Sequence, residues 1–208
     1  MVGLYTADAA FYFDLASPLA YIAAERILHV FSNPPTSVEW QPVLASELPA
    51  GETFDAFRCR EDEAVFRENV LRRVRALELQ PLRWPDPFPF DSSLAMRAAT
   101  YAKSIGRTVP FAQAAFRQAF AGGRSLGETD NVLIAAAACE MHPAAVLKGA
   151  GLASVHAQLH AATEAAAQAG VSDVPAVRIG ERVFEGEQCL EQAAAALGST
   201  AGGSTAAG

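Results

Sequence analysis

The sequence lacks a Cys-x-x-Cys pair, although it contains three cysteines. Cys59, Cys139 and Cys189 are far apart in the chain and odd in number, so we expect neither a redox dithiol nor a disulfide framework. We interpret them as small, partly buried apolar residues. Such a set of thiols is typical of a reducing compartment, which favours a cytoplasmic location.

Long apolar runs and concentrated positive charge are also missing. No stretch approaches the roughly 18 apolar residues of a membrane span, and residues 1–10 show no pattern of a signal peptide. The 23 acidic residues outnumber the 16 basic ones, which gives a net charge of −7. The densest basic cluster, Arg72, Arg73 and Arg75, is interleaved with apolar residues. We interpret it as a solvated helix face and expect neither a nucleic-acid nor a membrane partner.

What remains is typical of a globular protein. Of the 208 residues, 51% are hydrophobic and 19% are charged, which is enough to build an apolar core without disulfides. Residues 198–208 are the exception, because they contain only Gly, Ser, Thr and Ala. We predict a disordered tail there.

The first part of the chain predicts a strand, a helix and a second strand. Residues 9–15 form a compact apolar and aromatic run that indicates a buried strand. Ser17-Pro18 follows, and this dipeptide is typical of a helix start, because serine accepts hydrogen bonds from free N–H groups and proline fits the first helical position. The Asn-Pro-Pro segment at 33–35 should end this helix. Residues 36–43 then predict a strand parallel to the first.

The remainder predicts an α/β protein with a helical block in its centre. Apolar spacing indicates helices over 61–79, 92–105, 110–121, 130–140, 143–148 and 152–169. The proline-rich segment 84–90 is predicted as a stiff aromatic loop. Strands over 176–179 and 182–184 flank Gly180-Glu181 in the pattern of a type II′ hairpin, and a helix closes the chain over 187–197. We therefore assign residues 9–45 and 170–197 to one domain and 46–169 to a helical insertion.

This order, with Val174-Pro175 directly before the hairpin, resembles the thioredoxin fold (β-α-β … β-β-α) with the large all-helical insertion of DsbA-like proteins. Four motifs resemble one branch of that class, the 2-hydroxychromene-2-carboxylate isomerases and kappa-class glutathione transferases. They are FYFDxxSPxxY over 11–21, WPxPFP over 84–89, FAQAAFRQAF over 111–120, and TEA with the later GV and VP over 163–175.

The resemblance implies a glutathione-dependent isomerase of aromatic catabolism that acts on an aromatic carboxylate. Ser17 would be the catalytic residue and would stabilise the thiolate of bound glutathione, because a helix N-terminus favours negative charge. Val174 would pair with the cysteinyl part of glutathione beside a cis Pro175. Glu187 and Gln188 would contact the γ-glutamyl end.

A substrate pocket for the small aromatic molecule is expected from five side chains, namely Asp14, Pro18, Tyr21, Trp84 and Phe88. A structural interpretation stays open beside the functional one. Asp14 could instead cap the first helix, Tyr21 could belong to the core, and Trp84 and Phe88 could pack their loop onto the protein.

Two histidines four residues apart, His156 and His160, have the spacing of paired metal ligands. No third ligand is apparent, and the glutamate of the metalloprotease motif is missing. We interpret them as part of a solvated helix face and expect no metal site.

Three departures from the family leave other functions open. Asp173 stands where the family tends to have glycine, Gln188-Cys189 stands where it often has Asp-Arg, and residues 48–60 contain neither Asn nor Lys. A non-catalytic or divergent DsbA-like protein without redox cysteines is therefore the alternative. A glutathione transferase of the kappa type is the third hypothesis. The sequence is compatible with a homodimer but does not determine the oligomeric state.

Overall fold

A computed structural model of the chain describes residues 9–32, 36–50 and 60–202, with side chains as far as residue 197. Cys59, the Asn-Pro-Pro segment and residues 203–208 lie outside this part of the chain, as does most of the segment 48–60. The predictions on these residues stay predictions.

Four strands form one mixed sheet in the order β2-β1-β3-β4. They are β1 (Ala9–Phe13), β2 (Val38–Pro42), β3 (Ala176–Ile179) and β4 (Arg182–Glu185). β1 is parallel to β2, while β3 is antiparallel to both β1 and β4. Phe11 lies between Trp40 and Val177 in the register, at the centre of the sheet. The strand order confirms the predicted thioredoxin-like α/β fold.

β1 ends two residues earlier than predicted, at Phe13. The next residue, Asp14, turns the chain, because its carboxylate Oδ1 accepts the backbone N–H of Ala16 at 2.9 Å. The N–H of Leu15 is buried in the same turn and lies 3.2 Å from the sulfur of Met96. The apolar run therefore continues past the strand as a buried turn.

Eight α-helices are described. They are α1 (Pro18–Val30), α2 (Arg60–Ala76), α3 (Ser93–Ser104), α4 (Thr108–Phe116), α5 (Thr129–Ala138), α6 (Pro143–Ala150), α7 (Ala153–Gln168) and α8 (Cys189–Gly202). The single helix predicted over 110–121 is wrong in its second half, where Arg117–Ala121 is a π-helix. There the N–H of Gly122 reaches back five residues to the carbonyl of Arg117, at 2.8 Å.

The central helices pack directly on the sheet and on α1. Phe13 of β1 has its ring 5.8 Å from that of Phe116 in α4, and both belong to one large buried cluster. α3 and α6 approach closely at Gly149, where a Cβ atom would lie 2.3 Å from the ring of Tyr101. This contact fixes the distance between the two helices.

The last helix continues past its predicted end at residue 197. α8 extends to Gly202, so residues 198–202 are helical and not disordered as predicted. Once a helix has been nucleated, each further residue adds a backbone hydrogen bond, and this outweighs the weak helix propensity of a few Gly, Ser and Thr residues. No helix in the described part of the chain is long and apolar enough to cross a bilayer.

Candidate functional site at the start of the first helix

Ser17 begins α1 as predicted. Its backbone is extended (φ −85°, ψ 116°), and its hydroxyl oxygen accepts the N–H of Ala20 at 3.2 Å. The side chain is fully buried. Pro18 occupies the first helical position and is also buried. Within the described residues the Ser17 hydroxyl donates to no acceptor, so its proton is available to a ligand.

Asp14 is buried and joins two segments of the site. Its Oδ1 accepts the N–H of Ala16, and its Oδ2 accepts the N–H of Ala45 at 3.0 Å. Burial raises the pKa of the carboxyl above its ordinary value, while the hydrogen bonds from Ala16, Ala45 and the Ser92 side chain oppose that rise. These contacts fit the structural interpretation of Asp14, which ties the end of β1 to the turn after β2.

The Val174-Pro175 bond is cis, as predicted. The carbonyl of Pro175 accepts the N–H of Gly186 at 3.0 Å. Sequence reasoning missed Glu185, whose carboxylate accepts the hydroxyl of Ser172 at 2.7 Å and the N–H of Asp173 at 3.1 Å. Only its place at the end of β4, opposite Ala176, the residue after the proline, could have pointed to this role.

The backbone N–H of Val174 already has a partner. It donates to the Asp173 carboxylate at 2.7 Å, and Val174 is buried. The family resemblance implied that Val174 pairs with a bound glutathione. In the structure the side chain of the preceding residue takes the place of such a ligand.

Glu187 is exposed and pairs with Arg73 of α2. Their closest charged atoms, Arg73 Nη1 and Glu187 Oε2, are 3.2 Å apart, and Arg73 also donates to the Glu187 carbonyl. The interpretation of Arg73 as part of a solvated face is therefore wrong: α2 lies beside the Gly186–Gln188 turn, and the Arg73 side chain is only 21% exposed. Gln188 is exposed.

A small cavity separates this ion pair from the start of α1. Leu19, Arg26, Arg73, Pro175 and Glu187 are among its lining residues. Its volume of about 10 Å³ is enough for one water molecule. The structure thus brings Leu19 of the first turn of α1, the cis proline and the Arg73–Glu187 pair together around a narrow space. The fully buried Ser17 does not line this space.

The proline-rich loop contributes a cluster of rings. Trp84 and Phe88 have ring centroids 4.8 Å apart, and the Arg67 guanidinium lies over both rings. Phe88 is 9% exposed and reaches Phe120 at 6.4 Å. Phe120 in turn stacks on the Tyr21 ring at 5.6 Å. A continuous row of rings therefore leads from the loop to the first turns of α1.

Tyr21 lies in the core. Its side chain is fully buried, and its hydroxyl has no hydrogen-bond partner among the described residues. Burial, and more weakly the charge of Glu25, raise its pKa to about 12. The hydroxyl therefore stays protonated at neutral pH and can act only as a hydrogen-bond donor or acceptor. Trp84 has a similar buried Nε1 without a partner.

The two described cysteines are not suited to thiol chemistry. Cys139 and Cys189 are free and buried. Burial raises the pKa of both thiols, that of Cys189 to about 12. A thiol attacks as its thiolate, so these residues are poor nucleophiles. No group of three or more His, Cys, Asp and Glu side chains in the described segments could hold a metal ion.

Comparison with known proteins agrees with the thioredoxin-like fold of the chain. The family model described as "DSBA-like thioredoxin domain" matches residues 10–198. The chain belongs to the family of DSBA-like thioredoxin domains. No curated protein sequence shows a significant match.

Solved structures of this DSBA-like domain's fold include both isomerases and redox proteins. A 2-hydroxychromene-2-carboxylate isomerase superimposes with a TM-score of 0.79 at 16% identity, covering 93% of this chain and 95% of that one. A probable DsbA oxidoreductase from Streptomyces coelicolor gives 0.80 at 19% identity, covering 97% and 93%. The cytosolic disulfide reductase DsbM from Pseudomonas aeruginosa with GSH gives 0.66 at 15% identity, covering 93% and 98%. At these identities the similarity establishes the fold.

Proposed function

We propose that this DSBA-like domain is a glutathione-dependent isomerase with Ser17 as its catalytic residue. The buried Ser17 hydroxyl carries the proposal, because it accepts from the helix and keeps its proton for a ligand. A thiolate placed there would gain that hydrogen bond and the field of the helix N-terminus. Since no cysteine occupies the site, the thiolate has to come from a bound molecule.

An isomerase fits this arrangement better than a redox enzyme. A thiolate that adds to a conjugated carbon of the substrate is expelled again after the rearrangement, so glutathione is regenerated and no oxidant is needed. Disulfide exchange, in contrast, requires an attacking thiolate of the protein. The row of rings from Trp84 to Tyr21 would supply the apolar wall for an aromatic carboxylate.

Glutathione would lie along Val174-Pro175, with its glutamyl end at the Gly186–Gln188 turn. There Arg73 would bind the carboxylate of that end, and Glu187 would bind its amino group. Because the cavity is narrow, entry of the tripeptide requires the Arg73–Glu187 pair to separate. Asp173 would also have to release the N–H of Val174.

The test measures glutathione binding by calorimetry and turnover of 2-hydroxychromene-2-carboxylate by absorbance. We expect Ser17→Ala to lower kcat about 100-fold or more, the typical loss for one donor to a developing charge. Ser17→Thr should retain much of the rate, because threonine also caps helices and carries a hydroxyl. His142→Ala is the matched control: it removes the cap of α6, where His142 accepts the N–H of Ala144, and should leave kcat unchanged.

A second function is favoured by the Asp173–Val174 bond and the narrow cavity. Under it the chain is a non-catalytic DsbA-like protein in which its own side chains replace the ligand. No glutathione binding at millimolar concentration would support this second function and contradict the first. Binding with formation of a thioether product from an electrophile, but without isomerisation, would indicate a kappa-type transferase instead.

A further inference from the structure

A polar cavity of about 160 Å³ lies where α3, α7 and the turn Ala45–Glu47 meet. Six of its eight lining side chains are polar, namely Ser46, Glu47, Ser93, Arg97, His156 and His160. By the measure in which about 10–15 Å³ holds one water molecule, the cavity has room for a small polyatomic ligand. Neither Ser17 nor Pro175 lines it, which separates it from the proposed glutathione site.

Arg97 gives this cavity an unsatisfied donor. Its Nε atom is buried and has no hydrogen-bond partner among the described residues. Leaving a buried donor without a partner destabilises the fold, and more so when the group is charged. Such an atom calls for a partner. Arg97 lines the cavity, and a small shift of its side chain would bring the buried Nε to a ligand there. Nε is part of the planar guanidinium fork that binds carboxylate and phosphate groups with two parallel hydrogen bonds.

The acidic groups near the cavity are already engaged. Glu47 Oε2 lies 2.8 Å from His160 Nδ1. Asp91 accepts the N–H of Ser93 at 2.8 Å, and also its hydroxyl, at the start of α3. Those hydrogen bonds are the main reason why the pKa of Asp91 is lowered, and the charge of Arg97 is a weaker one. Neither acid supplies the missing hydrogen bond to Arg97.

His160 is 56% exposed, which agrees with the predicted solvated face, whereas His156 is half-buried. His156 and His160 lie one turn apart on α7, and both line the cavity. While His160 is paired with Glu47, the ring of His156 faces the same space as Arg97 and offers a second N–H donor. We propose that the cavity binds a small oxyanion, a carboxylate or phosphate group, held by Arg97 and His156.

The test follows the melting temperature of the full chain during titration with sodium phosphate or sodium acetate, with sodium chloride keeping the ionic strength constant. We expect a saturable rise in Tm with at least one of the two anions, because a ligand that binds only the folded state stabilises it. A rise with phosphate alone would identify a phosphate ligand, and a rise with acetate alone a carboxylate.

Variants assign the effect to this cavity. Arg97→Gln should weaken anion binding about tenfold or more, and Arg97→Lys should weaken it less, since lysine keeps the charge but loses the fork. Arg75→Gln is the matched control, because that side chain is 70% exposed on α2, and it should bind the anion as the parent does. An equal Tm shift in Arg97→Gln, or no shift beyond chloride in the parent, would overturn the proposal.

A second measurement covers the case in which Arg97→Gln fails to fold. In the parent protein, the Arg97 Nε–H resonance, assigned through Arg97→Lys, should move on addition of the anion that raises Tm. If that resonance stays in place at saturation, the proposal is wrong. Glutathione binding should be the same in Arg97→Lys and in the parent, so this result is independent of the proposed isomerase site.

Discussion

Two polar regions of this molecule differ in whether their buried hydrogen-bonding groups have partners within the protein. At the start of α1, Asp14 accepts two backbone N–H groups and Asp173 accepts a third. At the cavity between α3 and α7, the Arg97 Nε–H donates to no acceptor among the described residues. At the start of α1, a ligand would have to replace hydrogen bonds that the protein already makes. At the cavity, a ligand would give Arg97 Nε a hydrogen bond that it lacks.

The largest loss of stability should come from removing the Asp14 carboxylate at the start of α1. Asp14→Ala leaves the buried N–H groups of Ala16 and Ala45 without acceptors, so we expect a loss of about 2–4 kcal/mol in the free energy of unfolding. Urea denaturation measures it. Asp91→Ala is the matched control: Asp91 accepts the N–H of Ser93 at an exposed helix start, and its removal should cost about 1 kcal/mol. Equal losses in both variants would contradict the difference between buried and exposed acceptors.

Asp173 tests whether the first region is closed against its ligand. Asp173→Ala frees the N–H of Val174 and removes a negative charge beside the proposed thiolate. We expect glutathione to bind about tenfold more tightly, as measured by calorimetry. Asp173→Asn keeps an acceptor while losing the charge, so it should give a smaller gain. Weaker binding in Asp173→Ala would show that the carboxylate helps to hold the ligand.

A pair of tyrosines compares a satisfied hydroxyl with an unsatisfied one. The Tyr12 hydroxyl accepts from Arg178 Nε at 3.1 Å, while the Tyr21 hydroxyl has no partner in the described residues. Tyr12→Phe should therefore destabilise the fold by about 0.5–1.5 kcal/mol, and Tyr21→Phe should leave it unchanged or slightly more stable. Thermal unfolding measures both. If Tyr21→Phe lowers turnover without lowering Tm, its hydroxyl contacts the substrate.

The most gradual effect is a dependence of stability on pH. The pKa of Asp14 is raised in the folded state, mainly by burial. Between its ordinary value of 3.8 and the raised value, the folded protein binds more protons than the unfolded chain. Stability should fall as the pH rises through that window. Asp14→Asn cannot titrate and should lose this component, so denaturation of both proteins across the window measures it. A rise in the stability of the parent relative to Asp14→Asn would contradict the assignment.

Local patterns predicted the parts of the site that depend on neighbouring residues. The Ser17-Pro18 start of α1 lies where the local pattern placed it. The cis bond before Pro175 is as the family resemblance implied, not a local pattern. Contacts between distant segments were not predictable. Arg73 looked like a solvated residue because its partner, Glu187, is far away in the chain. No sequence pattern singled out Met96, whose sulfur the fold places 3.2 Å from the N–H of Leu15.

The ends of helices and the arrangement of strands show the same distinction between local patterns and tertiary contacts. The π-helix at Arg117–Ala121 was missed because its apolar spacing hardly differs from that of an α-helix over so short a segment. Its carbonyl at Phe120 accepts the N–H of Arg83 at 2.7 Å, a contact that only the tertiary structure provides. The parallel pair β1–β2 and the hairpin β3–β4, in contrast, followed from local patterns and connection rules. The position of β3 beside β1 was implied by the resemblance to the thioredoxin fold.

Helix α3 contacts both polar regions, the start of α1 and the cavity between α3 and α7. Met96 supports the turn that precedes Ser17, and the next residue, Arg97, lines the oxyanion cavity. The close approach of Tyr101 to Gly149 sets the position of the same helix against α6. Adjacent residues on one rigid segment cannot move independently along its axis. An added methyl group at position 149 would therefore disturb the geometry of both regions at once, although that position contacts neither.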